Sequence, residues 1–347
     1  MTTSEILQRL ARAVADPVTG TMRLMAREGD PRDLPTWHEL HRSKQVPYSE
    51  NQCPVLFEMW RTLLESGRLL LFLAEDRNRP AASRVLSCCA AIFVTDAFCA
   101  EIKRTSSPFV ELELVRRYHV QQLPVLNQRQ IAEANGGEGL NVMLCFEGSR
   151  EATLSSAQKL ALREKQRDAL QLALRGFHLK ELLGNPVGEE SFQRWRDSGA
   201  RSRKPSTRSD PRGSTPRGPP FPSARVVGLT RAEAEAHSGS YLSGLFVYDR
   251  PRFHFSRAEQ RLLQHALVGE TSEESAEELG LSAWTVKKRW QSIYDRVRAA
   301  DAELLPPAIA HGTHSQSRGT ERRRRLLNYL RQHPEELRPL GRARHLG

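Results

Sequence analysis

The chain has 347 residues, 39% of them hydrophobic and 27% charged, with a formal net charge of +11. Such a length and balance suit two small domains joined by a disordered linker rather than one compact body. The longest apolar runs, residues 69–74 and Val85–Val94, fall short of the ~20 residues that a membrane-spanning helix needs, and residues 1–17 lack a signal-peptide core, so a soluble cytoplasmic protein is expected.

The basic excess points to polyanions, nucleic acid first. Only 8 of the 52 basic residues are Lys, however, an Arg bias that a GC-rich genome produces unaided. Cys53, Cys88, Cys89, Cys99 and Cys145 form no Cys-x-x-Cys pair, and Cys88, Cys89 and Cys145 lie within apolar runs. A reducing compartment is expected, with no structural disulfide and no metal site.

Along the chain, residues 4–15 place Ile6, Leu7, Leu10 and Val14 on one helical face, with Pro17 as a stop. Residues 54–66 form a second amphipathic helix around Leu56, Phe57, Trp60, Leu63 and Leu64. Residues 69–74 and 84–94 read as buried strands about a turn at 76–80. Residues 108–117 alternate Phe109, Glu111, Glu113 and Val115 against Val110, Leu112 and Leu114, which is strand period. A short helix at 128–135 breaks at Gly136 and Gly137, and a fourth strand follows at 140–146. A long helix over 156–176 has Leu160, Leu162, Leu170, Leu172 and Leu174 as core candidates. These elements make an α/β or α+β domain over residues 1–198.

Residues 199–225 read as a disordered linker rich in Pro, Gly, Ser and Arg. Arg201, Arg203, Lys204, Arg208, Arg212, Arg217 and Arg225 stand against Asp210 alone, so the linker is either a plain spacer or a cationic tether for phosphate. After it come a short helix near 230–237 and an all-α unit, 226–305.

Within 255–299 the helix signals are clear. Ser256 and Glu259 suit a capping box, Leu262, Leu263, Ala266 and Leu267 an inner face, and Gly269 an end. Thr271 or Ser272 opens a second helix with Ala276 and Leu279 inward. Gly280 supplies a left-handed turn, Leu281 a core plug, and Ser282 the cap of a third helix over 283–298. On that helix Val286, Trp290, Ile293, Tyr294 and Val297 share the packing face. Thr285, Lys287, Lys288, Arg289, Ser292 and Arg296 face the other way, as a major-groove reading helix requires.

Gly269, Ala276, Leu279, Gly280, Leu281, Ser282, Thr285, Val286, Lys287, Ile293 and Tyr294 match the pattern of the LuxR-type helix-turn-helix, which this segment resembles. The resemblance implies a transcriptional regulator that reads double-stranded DNA with Ser282, Thr285, Lys287, Lys288, Arg289, Ser292 and Arg296, and leaves room for a homodimer. The segment departs from the family in its acidic second helix, with Glu273, Glu274, Glu277 and Glu278, and in Ser275 and Trp290 at places usually aliphatic. A basic tail, 306–347, carries a helix over 321–333 in which Arg322, Arg323, Arg324 and Arg325 are auxiliary phosphate contacts or a solvated surface.

Before the linker, residues 109–117, 140–146 and 174–182 fall where the GNAT-type acyltransferase fold has its fourth strand, its fifth strand and the link to its last strands, and this region loosely resembles that fold. The family's loop after the fourth strand cradles the coenzyme A pyrophosphate on glycine-flanked amides, and residues 116–127 contain no glycine. A degenerate domain that senses a small-molecule or acyl-CoA-like ligand, or that dimerises, is therefore expected. His119, His178, Glu101, Glu111 and Glu113 stand at no diagnostic spacing, and Asp76 lacks the rest of a receiver pattern. The expectation is a DNA-binding regulator with no catalytic residues and no cofactor. Two alternatives are an acyl-CoA-dependent N-acetyltransferase-like enzyme fused to a regulatory helix-turn-helix, and an interaction adaptor that does not bind DNA.

Overall fold

β1 (Leu24–Glu28), β2 (Leu69–Asp76), β3 (Val85–Val94) and β4 (Leu140–Ser149) run antiparallel in sequence order. β5 (Leu179–Gly184) then pairs parallel to β4. β7 (Val227–Thr230) and β6 (Arg201–Ser202) complete a mixed seven-stranded sheet of order β1-β2-β3-β4-β5-β7-β6. This is a computed structural model, which describes residues 22–42, 48–49, 52–104, 109–203, 225–267, 271–305 and 315–341. The helix expected over 4–15 lies outside the described residues, as do Gly269 and the linker residues Lys204, Arg208, Asp210, Arg212 and Arg217.

The central strands are almost wholly apolar because helices cover both faces. One face packs on α1 (Leu34–Arg42), α2 (Gln52–Glu65), α3 (Asp96–Arg104) and α4 (Val110–His119). The other packs on α5 (Gln128–Gly136), α6 (Ser156–Leu174), α7 (Glu189–Asp197) and α8 (Arg231–Ala236).

Three expectations change here. Residues 110–119 are the helix α4 and not a strand: Val110, Glu111, Leu114 and Val115 are buried, which is helical spacing. Its acids stand in the first turn and its bases in the last, which complements the helix dipole. On α6, Leu162, Leu170 and Leu174 are buried, but Leu160 and Leu172 are 62% and 58% exposed, because they fall outside that apolar stripe. The boundary expected at 198 falls inside the sheet. β6 and β7 lie on either side of residues 204–224 and pair with each other, and β7 pairs with β5.

Arg203 and Glu233 fasten this edge. The guanidinium donates to both carboxylate oxygens, one at 3.0 Å, and Glu233 also accepts from the Thr230 amide at its own helix start. Arg203 beside it holds the Glu233 carboxyl down at about 2. A depressed carboxylate lends stability above its unfolded pKa and loses it as pH falls through the folded value. The Glu233 carboxyl signal in an NMR titration should therefore move near pH 2, and Arg203→Ala should raise it toward the ordinary range, part of the depression staying with the Thr230 bonds. Titration near 4.5 in the unaltered chain would contradict the pairing.

The C-terminal part is helical: α9 (Arg257–Leu267), α10 (Ser272–Glu278), α11 (Ala283–Ala300) and α12 (Ser315–Gln332). Gly280 takes a left-handed φ of +62° in the turn before α11. Residues 334–341 of the expected tail strap these helices to the sheet domain. Buried Glu336 accepts from the Arg252 and Phe253 amides at 2.8 and 3.0 Å. Arg338 donates to the Leu172 and Arg175 carbonyls at the end of α6 and lies 4.6 Å over the Phe177 ring. No helix among the described residues is long and apolar enough to cross a membrane.

Candidate active site

The β4–β5 ladder ends at Leu144–Gly184, while β4 continues to Ser149 against β3. The β4–β5 ladder therefore stops five residues before the end of β4. The register with β3 also slips here: Cys88 pairs with Gly148 and Ala90 with Cys145, so Phe146 and Glu147 stand opposite Cys89 alone. This is a β-bulge, and Phe146 adopts φ +52°, a left-handed conformation that is strained for a bulky residue.

Side chains from α1 and α4 fix that strained residue. The Phe146 amide donates to Glu111 Oε1 at 2.5 Å, and its carbonyl accepts from Trp37 Nε1 at 2.8 Å. Trp37 is fully buried, stacked on Trp60 at 3.8 Å and edge-on to the Phe146 ring. Gly148 lets α1 approach: a Cβ there would stand 2.6 Å from the Leu40 carbonyl carbon and 2.7 Å from the His41 nitrogen.

Glu111 continues into a relay. Tyr48 Oη donates to Glu111 Oε2 at 3.1 Å and lies 3.0 Å from His41 Nε2, and His41 Nδ1 is 3.1 Å from the Glu147 carbonyl. A carbonyl only accepts, so Nδ1 carries a proton. The chain then has two consistent arrangements of equal charge, imidazolium with carboxylate or neutral imidazole with carboxylic acid, which differ only in the position of one proton. His41 and Glu111 are buried, and burial beside Glu111 pushes the Tyr48 phenol far up, which keeps it a neutral carrier.

On the opposite face, where β4 and β5 part, a cleft of about 370 Å³ lies between α6 and α7. Leu144, Cys89, Phe72 and Ala74 form part of its floor, Leu160, Arg163 and Arg167 of α6 one wall, and Arg194 and Trp195 of α7 the other. The Trp195 indole lies over Gly184, where a Cβ would meet it at 2.2 Å. Arg163 and Arg194 converge on Glu151 at 3.3 and 3.4 Å in the turn that leads into α6.

No protein-family model matches the chain, and no curated protein matches it in sequence. Solved structures do. Arabidopsis thaliana NAA60 in complex with acetyl-CoA is 13% identical over 60% of this chain and 98% of its own, with a TM-score of 0.36. FeeM, an N-acyl amino acid synthase from uncultured soil microbes, is 13% identical over 64% of this chain and 98% of its own, at 0.35. A Vibrio cholerae spermidine N-acetyltransferase in complex with CoA and spermine is 10% identical over 63% of this chain and 98% of its own, at 0.33.

The expectations of a DNA-binding regulator and of a chain without enzymatic activity are corrected at this point. The structures named are titled as acyltransferases, and the side chains expected to read DNA lie as follows. Ser282 and Thr285 bond each other at the cap of α11. Ser292 donates to Glu259 at 2.8 Å, and Arg296 pairs with the same carboxylate at 3.4 Å. Lys288 lies over the Trp284 ring, Lys287 is exposed and Arg289 half-buried. Arg323 covers the Trp290 ring and donates to Ser272, Arg324 and Arg325 pair with Glu321, and Arg322 is half-buried. The LuxR-type resemblance gains no support, and the C-terminal part is established only as helical.

The loop on which the pyrophosphate argument rested also moves. The strand that precedes a parallel neighbour is β4, so its following loop is 150–155, not 116–127. Residues 150–155 hold no glycine either. Glu111 was passed over in the sequence because its partners, Tyr48 and the Phe146 amide, are 63 and 35 residues away.

Proposed function

We propose that the sheet domain is an N-acyltransferase that moves an acyl group from a thioester to an amine at the opening between β4 and β5. The observation that carries this reading is the bulged end of β4. The β4–β5 ladder stops there, with a proton relay on one face of the sheet and a cleft on the other.

The amine nitrogen attacks the acyl carbon, a C–N bond forms and the C–S bond breaks. The nitrogen loses one proton and the leaving thiolate gains one. Glu111, Tyr48 and His41 suit the transfer because the relay can take the amine's proton and hand one to the leaving thiolate, so that it ends the reaction with the charge it began with. Trp37 of α1 and Glu111 of α4 hold the Phe146 bulge at the point where the β4–β5 ladder stops.

Hydrogen exchange of the full chain with an acyl-CoA tests the location. Slower exchange is expected in residues 144–155 and 184–195. Protection confined to residues 257–305, or none at millimolar ligand, would contradict the reading.

A further inference from the structure

The cleft does not stop at the opening. From Leu144 on β4 its floor crosses Cys89 and Ser87 on β3 to Phe72 and Ala74 on β2, and the middle of α6 forms its roof. Neighbouring strands lie about 4.8 Å apart, so the floor reaches roughly 10 Å sideways from the place where β4 leaves β5. Phe72, Leu73, Ala74, Leu144, Ala169 and Leu170 are buried around it, Leu242 and Trp195 close one side, and exposed Leu160 stands at the rim. Most of the charged groups, Arg163, Glu164, Arg167, Arg194, Asp197 and Glu151, come from α6, α7 and the turn before α6, and Glu147 comes from the bulged end of β4.

An acetyl group needs no such space. An apolar cavity of ~150 Å³ accommodates a six-carbon ring, so a cleft of about 370 Å³ has room for a hydrocarbon chain well beyond two carbons. We infer that the donor is a medium- or long-chain acyl thioester, with its hydrocarbon chain laid across β4, β3 and β2 beneath α6. This inference rests on the thioester reading of the β4–β5 opening. It adds that chain length is selected by the floor residues Phe72, Cys89 and Leu144.

Calorimetric titration of the full chain with acetyl-, butanoyl-, octanoyl- and decanoyl-CoA, and separately with octanoate and decanoate, tests it. Burial of each added methylene should tighten binding about fourfold until the cleft is full. Cys89→Phe, which fills the floor from a half-buried position, should move that limit to shorter chains. Leu160→Ser, at an exposed rim position that places no demand on folding, should weaken decanoyl-CoA more than acetyl-CoA. Affinity that stays flat from acetyl to decanoyl would overturn the chain site and leave the thioester reading intact. Binding of decanoate with no binding of any acyl-CoA would uphold the chain site and overturn coenzyme A as the donor. Binding of neither series would overturn both.

Discussion

Glu111→Ala is expected to cost the sheet domain about 3–5 kcal/mol and to lower its Tm accordingly. The carboxylate holds the Phe146 amide on one oxygen and the Tyr48 hydroxyl on the other, and it is buried. Hydrogen bonds to a charged group contribute about 1.5–3 kcal/mol each, and the amide left behind is a buried donor without a partner. Phe146 at φ +52° adds strain of about 1–3 kcal/mol that persists only while its surroundings impose it. Glu111→Gln separates the fold from the chemistry. Its amide oxygen still accepts from Phe146 and its NH2 still meets Tyr48, so stability should fall by only about 1 kcal/mol. The proton relay is gone, so turnover should fall by about 10²–10⁴. Chemical denaturation of both variants checks the first half: equal loss in the two would mean that Glu111 does not support the bulge through its hydrogen bonds.

Trp37→Ala should be still more damaging, about 4–6 kcal/mol, close to the whole stability of an ordinary domain. Trp37 is completely buried between Trp60 and Phe146, and its indole N–H satisfies the Phe146 carbonyl. Truncation opens a cavity and orphans that carbonyl at once. Trp37→Phe keeps much of the volume and loses only the donor, so about 1–3 kcal/mol is expected. Because Trp37 and Glu111 grip the two polar groups of one residue, the double variant should be less destabilised than the sum of the two. Strict additivity in a double-mutant cycle would contradict a shared role in holding the bulge.

The parts of this architecture that sequence periodicity reveals are the long, locally determined ones. β2, β3 and β4 show themselves as apolar runs, and α2, α5 and α6 through helical spacing. Residues 109–117 satisfy strand alternation and helix spacing alike. Acids early and bases late, with Glu113 reaching Arg116 and Arg117, were the signal that separates the two. β6 and β7 hold two and four residues, too few for any period to register. Their place is set by pairing with each other and with β5 across distant sequence. α9, α10 and α11 were legible to within a few residues, from Ser256, Thr271, Gly280 and Ser282, whereas α12, expected over 321–333, begins at Ser315. Their use was not, since Ser292 and Arg296 look free in sequence and meet Glu259 only once α9 packs against α11. The relay was least visible of all. His41, Tyr48 and Glu111 share no motif, and their meeting depends on Gly148 letting the backbone of α1 rest on β4.

Thiol release from octanoyl-CoA, measured with the full chain in the presence of a panel of primary amines, tests the central claim most directly. Release that depends on an amine, with the N-octanoyl product found by mass spectrometry and both lost in Glu111→Gln, is the predicted result. Release that proceeds equally in the folded Glu111→Gln variant, or no release with any amine while the chain binds the donor, would contradict it.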